Sequence, residues 1–227
     1  MCAPDANALA ENPTLGHELG NEIGKGAKIM ATTMNKPVLA EVFGPAEGSA
    51  LRAKQAVLVV LGIAALTLMA KAQVFLPGNP VPITLGTFGV LTIGATYGAR
   101  LGLVTILGYL ALGAVGATVF AGDKAGLTYM TGGTGGYLVG YVLATLALGF
   151  AAKKGWDRSV GLMALALLAG NALIYLPGLV WLNGFADSWA QTLEWGILPF
   201  LLGDVLKLAL AALLVPAVWK LVGKARM

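Results

Sequence analysis

Strongly apolar runs with few or no charges alternate with short polar or proline-rich breaks along most of this chain. A helix needs about 20 such residues to cross about 30 Å of hydrocarbon, and most of the runs reach or approach that length. The six runs are about Gln55–Val74, Ile83–Ala99, Leu101–Phe120, Thr134–Ala152, Val160–Leu182 and Ile197–Val222. They predict an all-α protein, an integral membrane bundle of six transmembrane helices in residues 51–227. Residues 1–50 are rich in glycine and only weakly apolar, and we expect them to form a mobile cytoplasmic tail.

The composition supports a membrane protein. Hydrophobic residues make up 57% of the chain and charged residues only 11%, whereas a soluble domain carries about 25% charged residues. The only cysteine is Cys2 and the only histidine is His17, in the polar tail. An internal disulfide and a cysteine-based metal cluster are therefore excluded, and a histidine triad or a histidine-ligated metal in the membrane is disfavoured. We expect no catalytic residues, no metal and no cofactor.

Positive charges concentrate on one side of the predicted bundle. Only Lys71 and Lys124 fall in the loops on the opposite side. Because lysine and arginine are enriched in cytoplasmic loops, this asymmetry predicts that both termini are cytoplasmic. The basic residues are scattered and form no patch, which argues against a nucleic-acid partner. Those on the predicted cytoplasmic side are Arg52, Lys54, Arg100, Lys153, Lys154, Arg158, Lys220, Lys224 and Arg226.

A proline-rich loop joins the first two runs. The stretch FLPGNPVPITLGTFGVL, residues 75–91, contains Pro77, Pro80 and Pro82, none of which can continue a helix. Irregular backbone at membrane depth persists only where protein or a water-lined cavity satisfies its polar groups. We therefore expect an outward-facing loop that forms a wall or lid of a pocket. The alternative is an ordinary connection between two helices.

Two ionisable residues lie inside the last run, in the stretch FLLGDVLKLAL. Asp204 and Lys207 are three positions apart, so they share one face of a helix. Each charge costs about 2.5–3.5 kcal/mol to insert into a membrane, and an ionisable pair at that depth indicates a functional site. Two interpretations remain open: a pair that binds or transports a ligand, and a structural ion pair that fixes helix packing.

Other polar side chains inside the apolar runs are candidates for the same pocket. Asn171, in LLAGNALIYLPG, is the only amide or acid in the fifth run, and its side chain can both donate and accept hydrogen bonds. Tyr175 follows one turn later on the same face, and Tyr109 lies in the third run. The structural alternatives are an interhelical hydrogen bond for Asn171 and packing at an interface for the two tyrosines.

The glycine-rich stretch TGGTGGYLVGY, residues 131–141, is not a phosphate-binding loop, because it lacks the Walker Lys-Ser/Thr pair and a preceding strand. Gly132, Gly136 and Gly140 are spaced four apart. Such spacing predicts a smooth helix face for close contact with a neighbouring helix. Tyr137 lies in the same region and is a further candidate pocket residue.

Four separated pieces of the chain resemble the BioY family in order and spacing: VPITLGTFGVL, GYLALGAVGATVF, TGGTGGYLVGY and PFLLGDVLK. The family comprises the biotin-binding S components of energy-coupling-factor (ECF) transporters, and the resemblance covers roughly residues 52–222. It implies six helices and capture of biotin from outside. It also implies the cytoplasmic membrane of a prokaryote, with a transmembrane coupling protein and cytoplasmic ABC-type ATPases as partners beside membrane lipid. One departure is Gly86, where the family pattern often has glutamine.

The chemistry of biotin suggests roles for the candidate residues under this resemblance. Its ureido group offers two N–H donors and one carbonyl acceptor. Asp204 is expected to accept a ureido N–H, Asn171 to contact the ureido group, and Lys207 to bind either the ureido oxygen or the valerate carboxylate. The remaining candidates are Tyr137 for the fused rings, and Tyr109, Tyr175 and Thr84.

Three alternative functions remain open at this stage. The chain can be an S component for another vitamin, which competition binding distinguishes. It can be a membrane-embedded enzyme that uses the Asp204–Lys207 pair as acid and base. It can also be a scaffold without a ligand, which the absence of any copurified small molecule would indicate.

Overall fold

Long apolar helices dominate the computed structural model, which describes residues 36–74 and 76–225. The elements of this part, in chain order, are α1 (Leu39–Val42), α2 (Gly48–Lys71), β1 (Gln73–Val74), β2 (Ile83–Thr84), α3 (Gly86–Ala114), α4 (Gly126–Met130), α5 (Gly135–Lys153), α6 (Val160–Leu182), α7 (Trp189–Gly196) and α8 (Leu201–Ala225). Two 3₁₀ turns, Trp156–Arg158 and Asn183–Phe185, flank α6. In the described residues, five helices are long and apolar enough to cross a membrane: α2, α3, α5, α6 and α8. The all-α membrane bundle predicted from the sequence is therefore confirmed.

Helix α3 reverses its direction at Gly98. The backbone there has φ 76° and ψ 175°, a conformation that glycine adopts without steric cost and other residues avoid. A Cβ atom on Gly102 would lie 3.7 Å from the Cα of Gly94, whereas eight residues of continuous helix rise about 12 Å. The two arms of α3 are therefore antiparallel. They correspond to the predicted second and third runs, and the count of six membrane crossings stays a prediction that depends on these two arms.

Several predicted boundaries differ from the structure. The first helix begins at Gly48 and ends at Lys71. It stops short of Val74 because Gln73 and Val74 form strand β1, which pairs with β2. The third run was expected to reach Phe120, but α3 ends at Ala114. The last helix begins at Leu201 and not at Ile197, because a turn separates it from α7.

Helix α5 lies at the centre of the bundle and has the largest buried share of the five long helices. Its glycines allow α6 to approach closely: a Cβ atom on Gly140 would lie 2.6 Å from the Cα of Ile174, and one on Gly136 would collide with the Pro177 carbonyl. The predicted smooth face is therefore real at two of its three glycines, while Gly132 has no such close neighbour. In contrast, α2, α6 and α8 expose many large aliphatic side chains, as expected for helices in contact with lipid.

The predicted tail comprises residues 1–50. Its first 35 residues, which include Cys2 and His17, lie outside the described residues. The part that is described packs against the bundle. Val38 is fully buried and contacts Gly98 at the turn of α3. Glu41 forms an ion pair with Lys153 at 2.6 Å. We call this end of the bundle the base, and the opposite end, where β1 and β2 pair, the lid end.

Candidate ligand-binding site

A cavity lies at the lid end, between the β1–β2 pair and the ends of the long helices. Its empty volume is about 610 Å³ with the space at its mouth included. Residues 76–82, which we call the lid, join β1 to β2, and two of them, Val81 and Pro82, form part of the cavity wall. The proline-rich loop therefore contributes a wall, as the sequence predicts.

Asn79 bonds the lid to the bundle. Asn79 donates its side-chain amide to the carbonyl oxygen of Trp195 at 2.9 Å. The same side chain accepts the backbone N–H of Val81 at 2.8 Å. These two bonds join the lid to α7 and shape its own backbone. Because α7 lies directly before α8, the lid and the helix that carries Asp204 are connected through few intermediates.

Aromatic rings form a large part of the cavity wall. Tyr109 and Phe120 meet edge to face with ring centroids 5.4 Å apart, and Phe120 stacks on Tyr129 at 4.8 Å. On the other side, the Tyr137 and Tyr175 rings meet at 6.0 Å, and Phe200 adjoins Tyr175. Burial raises the pKa of the Tyr129 hydroxyl, which therefore stays protonated at neutral pH. Rigid rings with neutral hydroxyls suit a flat, mostly apolar ligand.

The polar part of the wall is centred on Asp204, which is only 5% exposed. Its Oδ2 accepts the Tyr175 hydroxyl at 2.6 Å and the Asn171 amide at 3.2 Å. Its Oδ1 accepts the Lys207 ammonium at 3.0 Å. The helix spacing explains this arrangement, because Asn171 and Tyr175 lie four apart on one face of α6 and Asp204 and Lys207 lie three apart on α8.

The four members of this cluster differ in their access to the cavity. Tyr175 and Lys207 line it, whereas Asp204 bonds both of them from behind the wall. Asn171 also lies outside the lining and bonds Asp204. The Lys207 ammonium also lies 3.4 Å from the Thr87 hydroxyl at the start of α3. A charged group so buried requires a partner. The carboxylate of Asp204 supplies one and directs the ammonium along the cavity wall.

Asn171 is incompletely satisfied in the described residues. Its side-chain nitrogen binds Asp204, but its Oδ1 atom is buried and has no hydrogen-bond partner there. An unmet buried acceptor costs about 1–3 kcal/mol. The cluster therefore has room for one more N–H or O–H donor.

The other three predicted site residues, Tyr109, Tyr137 and Thr84, also line the cavity, but their polar atoms already have partners. The Tyr109 hydroxyl donates to the Val119 carbonyl at 3.1 Å, and the Tyr137 hydroxyl to the Gly196 carbonyl at 2.9 Å. Thr84 accepts the backbone N–H of Gly86 at 3.0 Å. These residues shape the wall with their apolar parts.

Sequence reasoning missed several lining residues. One of them, Tyr141, lies in the long helix α5. Tyr141 lies four positions after Tyr137, so the helix spacing contained a signal for it. Phe120, Tyr129 and Phe200 come from loops or short elements, and no periodicity marks them.

Gly86 allows Tyr141 to take its place in the wall. A Cβ atom on Gly86 would lie 2.8 Å from the Tyr141 hydroxyl oxygen and 3.1 Å from the Thr84 hydroxyl. A glutamine at this position, the residue noted as frequent in the family pattern, would displace Tyr141. The departure at Gly86 is thus matched by a tyrosine hydroxyl that occupies the adjacent space.

Comparisons with known proteins identify the family of this chain. Residues 39–224 match the profile of the BioY family. The chain is 35% identical over 164 residues to the probable biotin transporter BioY of Pyrococcus horikoshii, covering 72% of this chain and 95% of that protein. It is 33% identical over 157 residues to the biotin transporter BioY of Thermotoga maritima, covering 69% and 92%.

A solved structure shares the fold. The crystal structure of the S-component for biotin from an ECF-type ABC transporter superposes with a TM-score of 0.67 at 22% sequence identity, covering 77% of this chain and 95% of that chain. Together with the long apolar helices, the comparisons identify a multi-pass membrane protein. With 186 consecutive positions, residues 39–224, matching one family profile, the chain belongs to the BioY family.

Proposed function

We propose that this chain is the biotin-binding S component of an ECF transporter and takes up biotin across the cytoplasmic membrane of a prokaryote. Family membership and relatives named as biotin transporters support this function. The observation that carries it is the aromatic cavity under the lid, whose polar wall consists of Lys207 and Tyr175 held by a buried carboxylate.

The ureido group of biotin fits the polar wall. It is neutral, has two N–H donors and one carbonyl acceptor, and so needs acceptors and a donor close together. The Lys207 ammonium donates to the ureido oxygen and the Tyr175 hydroxyl oxygen accepts an N–H group, because both side chains line the cavity. Asp204 holds these two side chains from behind the wall, and Asn171 bonds Asp204 in turn. Because the ureido oxygen takes the Lys207 ammonium in this orientation, the valerate carboxylate lies at the opposite end of the cavity.

The aromatic walls hold the rest of the ligand. Pockets for small molecules are mostly apolar with a few placed polar groups. The fused rings contact Tyr137 and Tyr175, which meet edge to face, and the valerate chain extends toward Tyr129 and Thr134 on the far wall. In this orientation, biotin enters from the lid end and the lid covers it.

Energy for transport comes from partner proteins in this proposal. The sequence contains neither a Walker lysine nor any other nucleotide-binding motif. A transmembrane coupling protein and cytoplasmic ABC-type ATPases supply it. The protein itself binds and releases biotin without chemical change, so it is no enzyme, and its Asp–Lys pair orients a ligand and transfers no proton.

The test is biotin binding to the purified full chain in detergent, by isothermal titration calorimetry. Replacing Lys207 by methionine keeps the length of the side chain but leaves Asp204 without its cation. Loss of one partner of a buried pair costs about 2–5 kcal/mol, so we expect affinity to fall about 30-fold or more. The matched control is Leu206→Ala, the adjacent residue of α8, which is 65% exposed and should leave affinity unchanged.

Two results would contradict the proposal. One is an absence of biotin binding by the wild-type chain, with another vitamin binding in its place. The other is unchanged affinity in Lys207→Met protein that retains the thermal unfolding midpoint of the wild type.

A further inference from the structure

A second hollow lies beside the cavity, and we call it the side groove. Its empty volume is about 980 Å³ including its wide mouth. Asp123, Lys124 and Thr128 line it from the segment around α4, and Pro80 lines it from the lid. The cavity and the side groove share two residues, Tyr129 and Thr134, as a common wall.

The partition between the two hollows is thin. Tyr129 is half-buried on the five-residue helix α4 and stacks on Phe120 of the cavity wall. The Lys124 ammonium lies 6.0 Å from the centroid of the Tyr129 ring on the groove side. Tyr129 and Thr134 therefore separate cavity from groove. An unbranched chain would have to pass this partition to reach from one hollow to the other.

The ligand orientation argued above places the carboxyl end of biotin at this partition. The carboxyl group is the point at which biotin is joined to amines through an amide bond. The side groove beyond it carries opposite charges on adjacent residues, since Asp123 and Lys124 both line it and both are exposed. A free amino-acid head group carries the complementary pair, an ammonium and a carboxylate.

We propose that the side groove is a subsite for an amino acid joined to the carboxyl group of biotin, so that this chain binds the amide of biotin with the side-chain amine of lysine. The inference rests on the proposed function, because the biotin rings must occupy the cavity. The proposal extends the ligand class from free biotin to certain biotin amides. In these amides the tail is unbranched next to the ring system and ends in an ammonium and a carboxylate.

Competition binding against labelled biotin tests the subsite, with the full chain in detergent and three probes: biotin, its lysine amide and its uncharged butylamide. We expect the lysine amide to bind within about tenfold of biotin. The butylamide should bind about threefold more weakly than the lysine amide, because exposed ion pairs contribute little.

A bulky residue in the groove separates the two ligands. Thr128 is exposed and lines the groove but not the cavity. Thr128→Trp should weaken binding of the lysine amide by about tenfold or more, while the affinity for biotin stays within about twofold of the wild-type value. The matched control is Leu127→Trp on the same helix, which is 65% exposed, does not line the groove and should change neither ligand.

Each other outcome is decisive. A lysine amide more than tenfold weaker than biotin, or a Thr128→Trp variant that lowers both ligands equally or neither, would overturn the subsite alone. Equal binding of the two amides would overturn the role of Asp123 and Lys124. A wild-type chain that does not bind biotin would overturn the proposed function, and the subsite with it.

Discussion

Two buried aspartates lie at opposite ends of this bundle and differ in what surrounds them. Asp204, near the lid end, binds a lysine, a tyrosine and an asparagine, two of which line the cavity. Asp157, at the base, is fully buried and accepts the Trp219 indole N–H at 2.5 Å. The Arg158 guanidinium lies 4.3 Å from the centroid of the same indole.

The difference shows that burial of a carboxylate is not enough to indicate a ligand site. Asp157 follows directly after α5 in a 3₁₀ turn, and its tryptophan partner fastens that turn to α8. Neither of the two hollows described above is lined by Asp157 or Trp219. Asp204 instead positions side chains that face open space. The base cluster is therefore a structural joint, and the lid-end cluster is a binding site.

The largest effect is expected from Asp204→Asn. An amide keeps the shape of the side chain but leaves the Lys207 ammonium buried without a counter-charge, which costs about 3–5 kcal/mol when a buried pair is broken. Biotin affinity should fall by about 100-fold or more in calorimetric titration of the purified protein. If this variant bound biotin as tightly as the wild type does, the distinction between Asp204 as a binding-site residue and Asp157 as a structural one would be wrong.

A smaller and different effect is expected from Asp157→Asn. Loss of a charge-assisted hydrogen bond to Trp219 should lower the free energy of unfolding by about 1–3 kcal/mol. The thermal unfolding midpoint in detergent should fall, while biotin affinity of the folded protein stays within about threefold of the wild type. A large loss of affinity without a loss of stability would show that the base cluster also takes part in binding.

The smallest effect is expected from Asn79→Ala, which frees the lid from α7. The variant loses the bond to the Trp195 carbonyl and the bond from the Val81 N–H, each contributing about 0.5–1.5 kcal/mol. Biotin release should become about tenfold faster, measured by chase of labelled biotin with unlabelled biotin, while the unfolding midpoint falls only slightly. Ser188→Ala, which removes the cap at the end of α7 opposite to Trp195, is the control, and equal release rates in the two variants would argue against a lid.

The fold could be predicted where local chemistry decides the structure. Val160–Leu182 was expected and observed with the same bounds, because the run is apolar apart from one asparagine and one tyrosine, and polar residues, Ser159 and Asn183, stand at its two ends. The reversal in α3 was expected beside Arg100, yet it lies at Gly98. The charge marks the membrane edge only approximately, whereas the backbone turn requires the one residue that tolerates a positive φ.

The site could be predicted where one helix contributes two of its members. Helix periodicity pairs Asp204 with Lys207 and Asn171 with Tyr175, and the structure brings these two pairs together. Periodicity does not say which residues of other segments complete the wall. Thr87 approaches Lys207 from 120 positions away, and this contact depends on how α3 and α8 pack.

The reversal at Gly98 also affects the match between this protein and its bilayer. The arm from Gly86 to Tyr97 rises only about 18 Å, well short of about 30 Å of hydrocarbon. Such hydrophobic mismatch thins the adjacent lipid or leaves polar backbone in it. The fully buried Val38 side chain covers Gly98 from below, so the segment before the first long helix supplies the apolar floor that a shortened arm leaves open.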